Sequence, residues 1–202
     1  MSKRSVWRAA VVVGVCQLGA AQEASCDWQN HKLLGLGTEP MHATMVACPD
    51  ERTAKKIERA SNDERVKSPW YRSLNGAWKY FYAPTPAARV PGFWKPEFSD
   101  AAWATIPVPS NVEVEGHGVP IYTNTKYPWL EPPAGYDVSK DVAWRPASKP
   151  TPPFIPQDNP YNTVSAYRRS FEVPAEWGGR PIFLTFDGVH SAFFLWINDL
   201  SA

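Results

Sequence analysis

Two short stretches carry side chains whose type and spacing suit chemistry. Asn124 stands in VPIYTNTKYPWLEPP, residues 119–133, between two threonines and among four prolines, Pro120, Pro128, Pro132 and Pro133. A carboxamide offers one acceptor and two donors, which suits hydroxyls that both give and accept hydrogen bonds. It does so without the desolvation cost of a charge. Rigid flanks also reduce the entropy lost when such a segment docks on a ligand. From the residues alone a plainer account stands beside this one, an Asn that caps its own turn. The second stretch, VEVEGHG, sets Glu113 and Glu115 two apart, on one face of an expected strand. Paired-carboxylate catalysis needs surroundings that separate the two pKa values, and nothing nearby is disposed to do so. No catalytic role is assigned to them.

Other chemistries lack their residues. His31, His42, His117 and His190 lie far apart without metal-ligand spacing, and no nucleophile elbow, phosphate loop or Ser/His/Asp arrangement occurs. Lys+Arg of 21 against Asp+Glu of 20 gives a formal net charge of +1, too little to draw a polyanion, so nucleic acid is excluded as an expected partner.

Residues 1–21 read as a signal peptide. Lys3, Arg4 and Arg8 flank an uncharged run, AAVVVGVCQLGAA, that ends in small residues. The run falls short of the roughly 20 apolar residues that span a bilayer, so the expectation is export to the periplasm or beyond, with no transmembrane anchor. A chance apolar stretch after a misplaced start is the alternative. Of the three cysteines Cys16 would leave with this leader. Cys26 and Cys48 then face an oxidising compartment, either bridged, which would add roughly 3 kcal/mol by chain entropy, or as two free thiols.

The positioning elements are strands. With 44% hydrophobic residues the chain can bury a core, and 21 prolines suit a β protein with stiff loops. WKYFY alternates Trp78, Tyr80 and Tyr82 against Lys79 and Phe81, behind an Asn75-Gly76 turn signal. Further strands are expected at 104–109, 165–173, 181–188 and 191–198. Residues 51–67 mix six positive with four negative charges and suit one or two solvated helical turns. Residues 128–160 hold nine prolines and cannot form interior sheet; Trp129 and Trp144 in this span are expected to pack on the sandwich, with stacking on a sugar as the alternative. The fold class expected is an all-β, antiparallel β-sandwich.

Several pieces in order, DWQN at 27–30, SLNGAWKY at 73–80, IPVPSN at 106–111, PIYTNTKYP at 120–128, PPFIPQDNP at 152–160, YRRSFEVP at 167–174 and FDGVHSAFFLWIN at 186–198, resemble the N-terminal part of the large bacterial β-galactosidases of glycoside hydrolase family 2. The resemblance implies an arm at 22–72 and a sugar-binding jelly roll at 73–202 that stops short of its last strands. The catalytic glutamates would lie in a downstream barrel outside the chain, so hydrolysis with retention belongs to the intact enzyme and this chain alone is expected to be inactive. It implies further that Asn124 and its neighbour Thr125 contact a β-galactoside at the barrel's active site. Asp27, Asn30 and the Leu33 carbonyl would be part of a Mg²⁺ site completed by downstream ligands, although His31 stands where the family usually has proline. Family members are often homo-oligomers. A free-standing exported carbohydrate-binding module, and the equivalent domain of a β-glucuronidase or β-mannosidase, are the competing expectations.

Overall fold

In the computed structural model the described residues are 5–13, 32, 34–40, 42–57, 62–118, 120, 163–190, 192–198 and 200–201, with 5–13, 62–63 and 200–201 described by backbone only. They form one six-stranded sheet, all of whose pairings are antiparallel. The strands are β1 (Ser5–Val13), β2 (Gly76–Ala83), β3 (Ala104–Val108), β4 (Val164–Val173), β5 (Phe194–Ile197) and β6 (Leu200–Ser201), in the spatial order β3-β2-β4-β1-β5-β6. The only helical elements among them are single turns: α1 (Glu51–Ala54), α2 (Asn62–Arg65) and two 3-10 turns at Pro86–Ala88 and Ala175–Trp177. Asp50 caps α1, its carboxylate accepting from Thr53 N at 2.7 Å.

The alternation in β2 and β4 divides the sheet into two apolar faces. Phe81, Ala83, Val164 and Ala166 share one face, which residues 84–103 cover with Phe93, Trp94, Phe98 and Trp103. Aromatic rings pack edge and face here. Phe93 lies 5.8 Å from Trp103, and Trp94 stacks on Trp196 of β5 at 5.0 Å and 14°. Arg168, pointing to this face from β4, is 6% exposed and donates to Lys95 O (3.1 Å), Phe98 O (3.0 Å) and Asp100 Oδ2 (2.7 Å). It fastens the covering segment to the sheet, because a buried guanidinium must satisfy its donors.

The opposite face gathers Leu74, Val108, Tyr167, Phe171, Phe186 and Leu195 around the buried Trp78. Trp78 Nε1 donates to Leu74 O at 2.8 Å, so the ring is both packed and satisfied. The N-terminal arm reaches the edge of this face, where Ser68 Oγ donates to Ala47 O at 2.5 Å.

Two expected strands are absent. Residues 181–188 make no ladder; Ile182 and Phe183 are exposed, because no neighbouring strand among the described residues offers them an edge. Residues 112–116 turn instead of extending. Val114 N and Glu115 N both donate to Asn111 O, at 3.0 and 3.3 Å, and Gly116 takes a φ of +86° that closes the curl. Conversely, Ser5–Val13, read from sequence as part of a leader apart from the fold, is a strand of the sheet. Its Val-rich composition suits a strand as well as a leader.

Candidate functional site

The second apolar face opens into a cavity of about 1500 Å³. Its walls include Trp78 and Tyr167 from the sheet, Val46 and Cys48 from the arm, and Ile182 and Phe186 from the segment before β5. Such a volume exceeds the roughly 300–1,000 Å³ of a small-ligand pocket, which makes this a broad trough over half a core. Arg65, 9% exposed, ties its rim together through Asp187, with Nη1 3.0 and 3.2 Å from the two carboxylate oxygens.

Tyr167, in the wall of the trough, belongs to a group of tyrosines that sequence reading did not single out as a unit. Tyr80 is buried, and its hydroxyl shares a 2.9 Å hydrogen bond with Ser165 Oγ. Its ring lies 5.0 Å from that of Tyr167, its cross-strand partner, and 4.6 Å from the imidazole of His117. Tyr82 lies 6.3 Å from the same imidazole. The period-two tyrosines of WKYFY were the available signal, but the partners come from residues 37 and 87 positions further along the chain (80 to 117 and 80 to 167).

Tyr82 of this cluster lies near both Gly118 and Thr163, described residues that flank the segment bearing Asn124. Gly118, with φ +74°, passes so close to Tyr82 that a Cβ would stand 3.1 Å from the phenolic oxygen. Thr163, at the other end, is near enough to the Tyr82 hydroxyl to oppose the rise in its pKa. Glycine at 118 is therefore favoured by its dihedral, and a Cβ there would also need the Tyr82 ring to give by a few tenths of an ångström.

Burial pushes Tyr80 up to about 12, against the opposing hydrogen bond with Ser165 and with the help of Tyr167, Tyr82 and Glu113. Tyr82 and Tyr167 are raised too, chiefly by burial, and Glu113 contributes to both. An acid whose folded pKa exceeds its unfolded value holds its proton longer in the fold. That stability is complete below the ordinary tyrosine value of 10.0 and falls as pH rises through about 12. The melting temperature should accordingly drop between pH 10 and 12, and less steeply in Tyr80→Phe; an identical slope would show that Tyr80 is not the titrating group.

Of the residues singled out from sequence, Asn124, Thr125, Asp27, Asn30, Leu33 and Cys26 lie outside the described residues, as do Trp129 and Trp144. Cys48 is a half-buried free thiol whose Sγ is 3.6 Å from Val46 O. Glu113 is exposed and Glu115 half-buried, both in the turn and not on a strand. No group of three or more His, Cys, Asp or Glu side chains suited to a metal ion occurs among the described residues.

The span that runs from just before β2, through the His117 turn, to beyond Asn124 is also where comparison is decisive: residues 71–145 match the sugar binding domain of the glycosyl hydrolases family 2. The chain carries a family 2 sugar-binding domain. Around it, the chain is 34% identical over 173 residues to a β-galactosidase of Priestia megaterium, which takes in 85% of this chain and 14% of that protein. It is 33% identical over 174 residues to a β-galactosidase of Vibrio cholerae, with shares of 86% and 14%. A β-galactosidase large subunit of Leuconostoc lactis is 35% identical over 139 residues, 66% of this chain and 21% of that subunit. The chain thus spans about a seventh of the length of the first two relatives, and the catalytic domain of the family is not within its 202 residues. Within residues 71–145, Gly118 and Pro120 are the described residues nearest in sequence to Asn124.

Proposed function

We propose that this family 2 domain supplies the sugar-side wall of a β-galactosidase, with Asn124 and Thr125 contacting the galactosyl unit while domains outside the chain hydrolyse the bond with retention. The single observation that carries this reading is that the family match over residues 71–145 includes both residues, in a chain whose similar proteins are named β-galactosidase. The close approach of the Gly118 backbone to Tyr82 agrees with it, because a side chain that must complete a site in another domain needs a well-placed base. A free-standing binding module is the less favoured reading, since the relatives extend far beyond the matched region.

Three further parts of the proposal concern the intact protein. Asp27, Asn30 and the Leu33 carbonyl would offer oxygen donors to Mg²⁺, a hard cation that prefers them. Export rests on the basic and apolar pattern of residues 1–21. Assembly into homo-oligomers would follow from kinship with the longer enzymes. No helix among the described residues is long and apolar enough to cross a membrane.

The test is a chimera in which this chain replaces the corresponding segment of the Priestia megaterium relative, assayed on nitrophenyl β-galactoside, β-glucuronide and β-mannoside. The expected result is hydrolysis of the galactoside by the chimera, with the galactoside preferred over the other two, and none by the 202-residue chain alone. Preference for the glucuronide or mannoside would overturn the substrate assignment, and turnover by the isolated chain would overturn the division of labour.

A further inference from the structure

The strand at the centre of the sheet is encoded by the same residues that read as an export leader. β1 pairs with β4 over nine positions, from Ser5↔Val173 to Val13↔Ser165, and with β5 over four, from Ala9↔Ile197 to Val12↔Phe194. Among the described residues β4 and β5 do not pair with each other, and β1 is the only strand that links β2-β3-β4 to β5-β6. Since neighbouring strands lie about 4.8 Å apart, its withdrawal leaves a slot about 10 Å wide, lined on both sides by unpaired backbone N–H and C=O groups. Apart from that ladder, the contact of β5 with the rest of the protein includes the stack of Trp196 on Trp94 and its edge-on contact with Phe93. Yet Ser5–Val13 also lies between Lys3-Arg4 and the small-residue end of an uncharged run, the pattern a leader requires.

We propose that Ser5–Val13 has two mutually exclusive uses: it is a leader while the chain is unfolded, and once the chain folds it is the strand that closes the β4–β5 slot and is thereby withdrawn from export and processing. The inference rests on the export reading above. Processing would hydrolyse the Ala21–Gln22 amide, water supplying the hydroxyl of the new Ala21 carboxyl group and a proton to the Gln22 amine, with a signal peptidase as the catalyst. Folding opposes it by holding Ala9–Val13, the first part of the apolar run, in a ladder, where that part is not free to enter a peptidase.

Two measurements on the full 202-residue chain separate the halves of the proposal. In amide exchange followed by mass spectrometry, residues 5–13 should exchange about 100-fold or more slowly than the same sequence as a free peptide, together with 194–197. Coil-like exchange over 5–13 would overturn the strand use, whatever becomes of the export reading. Val11→Pro removes one ladder hydrogen bond and should speed exchange in 5–13 and 194–197 while leaving 76–83 and 104–108 protected. Unchanged protection of 194–197 in that variant would show that β1 does not hold β5. The second measurement compares processing by signal peptidase in detergent micelles of the native chain with that of chain freshly diluted from urea. The native chain should be cut at least about tenfold more slowly, as the closed form dominates. Equal rates would overturn the exclusivity. If neither form is cut while 5–13 is protected, the leader use fails, and with it the export reading, although the strand stands.

Discussion

Arg168→Met should destabilise the protein by about 3 kcal/mol, the largest loss expected from a single substitution away from Asn124. Methionine replaces the aliphatic stem and much of the volume, so the effect isolates the guanidinium. Its removal strands three acceptors at once, Lys95 O, Phe98 O and Asp100 Oδ2, and ends the cation–π contact over Phe98 at 5.3 Å. The figure sits at the lower end of the range for breaking a buried pair because the Asp100 side chain is 32% exposed and regains some hydration. In urea this corresponds to a midpoint about 1.5 M lower, for a slope near 2 kcal/mol/M. A contrasting control is Lys55→Met. Its pair with Glu51 is exposed at both ends, so a change no larger than about 0.5 kcal/mol is expected. Equal effects of the two substitutions would show that Arg168 does not bind residues 84–103 to the sheet.

How much of this was legible in the sequence varies by element. β2 and β4 were readable because each buries both faces while keeping a period of two, so large side chains alternate around a few polar ones. The same rule failed at VEVEGHG, where alternation is present but backbone donors turn inward on Asn111 O. It failed again at 181–188, whose apolar residues line a trough and not a ladder. A strand is a pairing as well as a pattern, and a pattern carries no information on whether an edge is available. Arg168 was written into YRRSFEVP without any local sign of its role, since its acceptors lie about 70 residues earlier in the chain. The composition of Ser5–Val13 suits a leader and a strand equally, so the leader reading gave no hint of the ladder. Asn124 was legible as an amide among prolines in the sequence; the sugar contact proposed for it came only through the resemblance.

Asn124→Ala, introduced into the chimeric enzyme, carries the largest expected effect on activity. An amide facing pyranose hydroxyls in a site closed to water makes two or three hydrogen bonds, and its loss leaves those hydroxyls without partners. At about 1 to 1.5 kcal/mol each, two such bonds amount to roughly 2 to 3 kcal/mol, or about a 30- to 150-fold fall in kcat/KM. A turn-capping asparagine would give another pattern, a lower melting temperature with little change in kinetics at temperatures where the protein stays folded. The most direct test is therefore kcat/KM for a nitrophenyl β-galactoside in the chimera with and without Asn124→Ala, alongside the melting temperature of each. The account predicts a fall of at least 30-fold with the melting temperature within about 2 °C; unchanged kcat/KM would contradict it.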